Sequence, residues 1–555
     1  MNKVRSIAIS LFIYSLFAIV VFIVHGNEPS LSVDHIAYFN LVHGLRVQHP
    51  DGAYWQSFSA LESYAILLAY ISDFVGDLIY ALKWILAAIT VSYLLSFELL
   101  LSLFTCRKWQ RILFSLLSAM FVSFGASFWG FTDFSASLNR SIVVPFMVLS
   151  LWFFLKYFER GWKYLVYPFL VAVSTFHLSA YYLIGVLLLF EGLDFIVLRQ
   201  WKVDKRIPYW LAGIAAACGV RTLLSSALGA TNYVATTVGH AIAFSKSANL
   251  AGFLNYQQAW EVELYAFPWR NMPLPLTTVA MILLSYGIIL LLALYGGWIT
   301  YRRGWKRLDK IMVVFSAAVF CGAYGLQTLL WLWRTVSHVY PMNFEEMRAI
   351  NLIMIPSIYF VFRLTELLTK PTEKTVQRYL ITGIMTCLVV LQPIVVLHLT
   401  PDSFRLKLLE QCVERGLIKS EDSLRLTYAR QLLGLDYETN RFYYSSRGVV
   451  DWLANHVQPG SKVLTDRNDI VVYGIQSVGN FVGVLGRNIS SIEQASWRKS
   501  VPEVHSAIGS ANIAEVVIVA KQYDAEYAVV PWPEKDAVYE DKFYSIIKIG
   551  DKGER

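Results

Sequence analysis

Two carboxylates in this chain stand where an apolar run gives way to polar sequence, a place where a side chain can do chemistry at a membrane surface. Asp34, in Ser32-Val33-Asp34-His35-Ile36-Ala37-Tyr38, follows the first apolar run by about nine residues. Asp133, in Phe131-Thr132-Asp133-Phe134, follows the third. A carboxylate so placed can accept a proton or hold a divalent metal such as Mg or Mn. Each can equally cap a helix, Asp34 one that begins at His35 and Asp133 one over Ser135–Leu138. His177, at a turn between two apolar runs, can carry a proton or simply line the interface. His35 and Tyr38 lie beside Asp34 as candidate substrate contacts.

The candidate cations are arginines. Arg221 lies inside an apolar run, where a charge is costly and must face a protein interior. Arg348 follows Phe344-Glu345-Glu346-Met347 and opens another run. A guanidinium at a membrane surface suits two-point capture of a phosphate, and it suits pairing with Glu345 or Glu346 just as well. Trp260 and Glu261, in the 227–271 segment with Tyr265, Phe267 and Trp269, combine aromatic faces with carboxylates. That pairing fits stacking on a sugar and also fits an aromatic belt at the bilayer surface.

What must position these residues is a set of membrane helices. Of the 555 residues, 56% are hydrophobic and 16% charged, against about 25% charged in average soluble domains. Disordered chains, nucleic-acid-binding tails and ordinary cytosolic enzymes are excluded. Apolar runs near the ~20 residues that span a bilayer recur. Reading them between charged clusters predicts 11 spans, at 6–25, 82–105, 112–131, 141–157, 164–178, 180–198, 208–226, 272–298, 311–333, 348–368 and 379–398. Lys163 and Arg199 flank the 164–198 stretch on one side, so it must fold as a hairpin that turns near His177–Ser179. The net charge is +8, yet residues from 399 on hold 19 basic and 21 acidic residues, a net of −2. The excess therefore belongs to the membrane half. There, 21 basic residues fall on alternate connections and 7 on the others, which predicts a cytoplasmic amino terminus by the positive-inside rule. The long connections, 26–81, 227–271, 334–347 and everything after 399, then lie on the outer face. No small-residue cleavage site follows His25-Gly26-Asn27-Glu28, so the first span reads as an uncleaved anchor. The five cysteines form neither a disulfide framework nor a metal pair.

The chain thus divides by sequence into a membrane domain, 1–398, and an outer tail, 399–555. Helical spacing runs over 399–445. Beyond it a helix over Val449–Val457 alternates with strands at Lys462–Thr465, Phe481–Leu485, Tyr527–Val530 and Tyr544–Ile549, the pattern of a small α/β domain. The tail has no GxGxxG, Walker or GxSxG motif.

This arrangement resembles the GT-C polytopic glycosyltransferases, which include oligosaccharyltransferase catalytic subunits, protein mannosyltransferases and lipid A aminoarabinose transferases. The likeness rests on the inside amino terminus, an acid soon after the first span (Asp34), a second outer acid (Asp133), about 11 spans and an outer α/β tail. Asp34-His35-Ile36-Ala37-Tyr38 through Pro50-Asp51, and Val450-Asp451-Trp452-Leu453 through Asp524–Pro531, are similar to segments of bacterial GT-C-like proteins. The chain has neither a Trp-Trp-Asp-Tyr-Gly motif in its tail nor an Asp-x-Asp pair in its first loop.

The resemblance implies inverting transfer of a sugar from a polyprenyl-phosphate donor to a lipid, glycan or protein acceptor at the outer face. Asp34 would be the base, and Arg348 with Arg221 would hold the donor phosphate. The short inner connections and the free Cys412 suggest a bacterial inner membrane with a periplasmic tail. A polysaccharide polymerase or ligase would share the donor and topology. A transporter would instead show interrupted spans and charges at mid-membrane, and a scaffold would keep the shape without the chemistry.

Overall fold

The computed structural model describes residues 3–31, 35, 38–39, 41–42, 45–46, 49–57, 63–105, 107–120, 130–177, 179–198, 205–228, 274–325, 346–368, 383–384, 387, 396–397, 399–417, 437–457, 461–465, 481–483 and 501–549. They are mostly helical. The chain divides into two compact units: Met1–Pro29, Ser59–Ser63 and Leu82–Gly434 form the first, and Ser30–Phe58, Tyr64–Ala81 and Leu435–Arg555 the second. The helix Asp402–Glu414, expected with the tail, groups with the membrane half, and residues 30–58 group with the tail.

Six described helices are long and apolar enough to cross a membrane: Ile7–Val24, Leu78–Leu101, Asn139–Lys156, Ala180–Val197, Ile207–Leu224 and Ala349–Leu367. In water such faces would stay exposed at great cost, so this composition is that of an integral membrane protein.

In the first unit, side-chain contacts fix the direction of each helix. Lys3–Val24 and Leu78–Leu101 run antiparallel, with Tyr14 donating to Glu98 at 2.9 Å and Phe22 against Trp84 at 5.5 Å between ring centroids. His25 meets the Phe134 ring at 5.2 Å, which sets the start of Asn139–Lys156 at the far end from Lys3. Asn139 Nδ2 donates to Phe176 O at 3.3 Å, so Val166–Val173 ends there and Ala180–Leu193 begins there. That is the hairpin the flanking charges require. Ile207–Leu228 starts where Arg206 donates to Phe158 O at 2.6 Å and ends beyond Arg221 at Tyr181.

Leu274–Arg302 and Met354–Leu368 lie side by side and parallel, joined by Tyr286 donating to Asn351 at 2.7 Å. Gly296 permits this approach, because a β-carbon there would strike the carbonyl of Phe360. Gly287, at φ 46 and ψ −128, breaks the longer helix in a conformation that L-residues avoid.

The second unit carries a five-stranded sheet: β1 Val463–Thr465, β2 Phe481–Gly483, β3 Tyr527–Val530, β4 Tyr539–Glu540 and β5 Ser545–Lys548. The order is β2-β1-β3-β5-β4, with β1 parallel to both neighbours and the other two pairs antiparallel. Side chains alternate across the sheet. Val463, Val529 and Ile546 pack on the helix Tyr437–His456, and Leu464, Ala528, Val530 and Ile547 on the helices Val501–Gly509 and Ile513–Gln522. The strand expected at 462–465 runs over Val463–Thr465, that expected at 481–485 over Phe481–Gly483 among the described residues, and that expected at 527–530 over Tyr527–Val530; the expected 544–549 strand runs over Ser545–Lys548, and the short β4 was not foreseen.

Candidate functional site

The two ends of the helical unit differ in chemistry. At the end where the basic clusters gather, carboxylates meet the cations. Glu98 lies 2.7 Å from Lys108 and 3.7 Å from Arg111, Glu191 pairs with Lys163, and Glu159 pairs with Arg206 and Arg307. Asp309, wholly buried, accepts from Arg363 Nε at 3.1 Å, Tyr359 at 2.5 Å and the Lys306 backbone at 2.7 Å.

At the opposite end, the apolar run of the first helix stops at His25, whose Nδ1 lies 3.0 Å from Asp402 Oδ2. Asp402 begins the helix Asp402–Glu414 and is also held by Arg405 one turn later. His25, Asp402 and Arg405 are each at most 2% exposed. Among the described residues nothing hydrogen-bonds His25 Nε2 or the buried Thr132 hydroxyl. Lys83, a buried cation inside the Leu78–Leu101 span, donates to Gly26 O at 2.6 Å and lies 4.1 Å from the centroid of Phe22.

The residues singled out in the sequence fall around this end in part. Asp133 accepts from Ser135 N at 2.8 Å and caps the short helix Phe134–Ser137, the helix-cap alternative. Its neighbour Phe134 is the residue that touches His25. His177 closes the hairpin turn, accepting from Ser179 N at 3.0 Å and pairing with Ser179 Oγ at 2.5 Å. Arg221 donates to the Tyr181 phenol at 2.6 Å and lies 5.6 Å from that ring's centroid. Among the described residues no carboxylate reaches it. Arg348 has its backbone in the helix Glu346–Ile353, and its side chain lies outside the described residues. Asp34, Trp260 and Glu261 lie outside them as well.

Within the second unit His35 is wholly buried, and Tyr38 meets Tyr64 edge-on with 4.6 Å between centroids. Arg46 and Tyr54 converge on Asp73 at 2.7 Å each. Loss of hydration and the hydrogen bond to Asp73 push the Tyr54 phenol above its usual range. Among the described residues no three His, Cys, Asp or Glu side chains gather as metal donors.

Sequence reasoning missed the His25–Asp402–Arg405 cluster. His25 entered it only as a flank of the first span, and Lys83 only as a charge on a connection. The available clue was polarity: a His that ends an apolar run without interruption, followed by a Lys five residues into the next helix.

The sequence matches no family model, and no curated protein matches it.

Proposed function

We propose that the protein is a GT-C-type glycosyltransferase of the bacterial inner membrane. About 11 helices span the bilayer, the amino terminus is cytoplasmic and the tail periplasmic. It moves a sugar from a polyprenyl-phosphate donor to a lipid, glycan or protein acceptor. The resemblance gives proton acceptance to Asp34 and phosphate capture to Arg348 and Arg221. Asp133 has capping work of its own.

One observation carries this reading. Near the end of an apolar helix the Arg221 guanidinium is held by a phenol, and among the described residues by no acid. A buried-side cation with a neutral partner is ready for an anion that arrives from the membrane, and a lipid phosphate is such an anion. The odd number of spans has support of its own: residue 402 meets residue 25, the meeting that an even number of crossings between them would allow.

The test is turnover of a synthetic decaprenyl-phosphate hexose by the purified protein, read as release of decaprenyl phosphate. Arg221→Lys should cost about 10- to 150-fold, the worth of a lost charged hydrogen bond of roughly 1.5–3 kcal/mol. Turnover that ignores Arg221→Lys and Arg221→Ala removes this support.

A transporter is the second reading, favoured by broken helices. Gly287 interrupts Leu274–Arg302, and wide five-residue turns at Asp194–Leu198 and Cys321–Gly325 end two others. Such interruptions line binding sites in transporters. Uptake of the hexose lipid or a free sugar into sealed vesicles, without donor cleavage, would favour it.

A further inference from the structure

We propose that His25 and Asp402 form a proton-accepting dyad that takes the proton of an acceptor hydroxyl. The proposal rests on the transfer reading above and gives the dyad, not Asp34, the role of base.

Asp402 is a carboxylate fixed by Arg405, so the bond at 3.0 Å needs a proton on His25 Nδ1. In the neutral ring that choice leaves the lone pair on Nε2. Nε2 is buried and without a hydrogen-bond partner among the described residues. Orphaned buried polar atoms are rare in folded proteins and call for a ligand, a water or a catalytic role. Here a second orphan, the Thr132 hydroxyl, stands two residues from Phe134, the ring that touches His25. A substrate hydroxyl brought to this end would answer the first by donating to Nε2.

Asp402 then does two things. It holds the ring in the tautomer that exposes the Nε2 lone pair, and it stabilises the imidazolium that forms. Among the described residues, the charged and titratable groups at this end are Asp402 and Arg405 on one helix, Lys83 on another and Asp133 beside Phe134. Lys83 also feels the charge of Asp402, so one carboxylate is shared by three basic groups.

The step balances as a single displacement. The acceptor oxygen forms a bond to the anomeric carbon and its proton passes to Nε2. The bond from that carbon to the phosphate oxygen breaks, and its electron pair leaves on the lipid phosphate. The imidazolium returns its proton to water after product release.

The experiment measures hexose transfer from decaprenyl-phosphate hexose to a primary alcohol, in the full chain, as a function of pH. Expected are a fall in kcat of about 10²- to 10⁴-fold for His25→Gln with KM nearly unchanged, and loss of the acid limb of the pH profile. Added imidazole should restore turnover to His25→Ala. If His25→Gln transfers at the wild-type rate, or if Asp34→Asn abolishes transfer while His25→Gln keeps the acid limb, the dyad is not the base. If His25→Gln fails to fold, ¹⁵N-histidine NMR of the wild type decides. A lone pair on Nε2 that titrates with the acid limb supports the dyad, and a protonated Nε2 across that range overturns it. A wild-type protein that cleaves no donor, while folded, overturns the transfer reading itself and the dyad with it. That outcome is distinct from a single inert variant in an active background.

Discussion

The two ends of the helical unit face the same physical problem, charge beside apolar helix, and answer it differently. At the basic-cluster end Lys108, Lys163, Arg307 and Arg363 each meet a carboxylate. At the other end Arg221 meets a phenol and, among the described residues, no carboxylate. Charge that is neutralised within the fold serves the fold. Charge held by neutral oxygens stays available to something that is not part of it. The difference teaches where to look for a ligand without any motif: at a cation that meets no acid among the described residues.

Substitutions at the two ends should therefore separate stability from binding. The largest effect belongs to Asp309→Ala, which leaves Arg363 with only the more exposed Glu366 as its acid and the Tyr359 hydroxyl and the Lys306 backbone without their acceptor. Breaking a buried pair in this way costs about 3–5 kcal/mol, so thermal unfolding in detergent should begin many degrees lower. An unchanged melting point would mean that the basic end is not held by its ion pairs. Glu191→Gln comes next. It removes the charge opposite Lys163, which is wholly buried among the rings of Phe154, Phe158 and Tyr164, but keeps a hydrogen-bond acceptor. A loss of about 1–3 kcal/mol, read by the same melts, is expected.

Arg221→Leu should cost less stability than Asp309→Ala does, because among the described residues it loses contacts with one neutral partner, Tyr181. Retention of decaprenyl phosphate by the protein, followed by equilibrium binding, should nevertheless fall at least tenfold. If Arg221→Leu unfolds the protein as Asp309→Ala does, the contrast between the ends collapses. The tail supplies a control away from both ends. Loss of hydration, with Asp541 as hydrogen-bond acceptor and negative neighbour, pushes Tyr539 up to about 12 from its ordinary 10.0. Its neutral form is the one the fold favours, so its contribution is complete below pH 10.0 and fades as pH rises toward 12. The tyrosinate absorbance difference between wild type and Tyr539→Phe should titrate near 12; a midpoint at the ordinary value would mean that the phenol is hydrated.

Periodicity made much of this fold legible. The alternation of basic clusters anticipated the helix directions around Tyr14–Glu98 and Asn139–Phe176, and short apolar runs anticipated Val463–Thr465 and Tyr527–Val530. The short β4 escaped because Tyr539-Glu540 has no periodicity to read, and its place is set by its pairing with β5. The candidate site was legible only in fragments. Asp133 and His177 were found as residue types, yet their described contacts are local turns. The His25 cluster was invisible because its meaning lies in a partner 377 residues away, and no spacing rule reaches that far.

That separation also sets a clock. Ribosomes add about 5–20 residues each second, so the 377 residues between His25 and Asp402 take roughly 20–75 s to emerge. Throughout that interval the first helix can already lie in the bilayer with its terminal imidazole unmet, waiting for the last stretch of the unit to be made. The tie is a seal that can close only once residue 402 has been made, and a nascent chain arrested before Asp402 should lack it whatever else it has inserted.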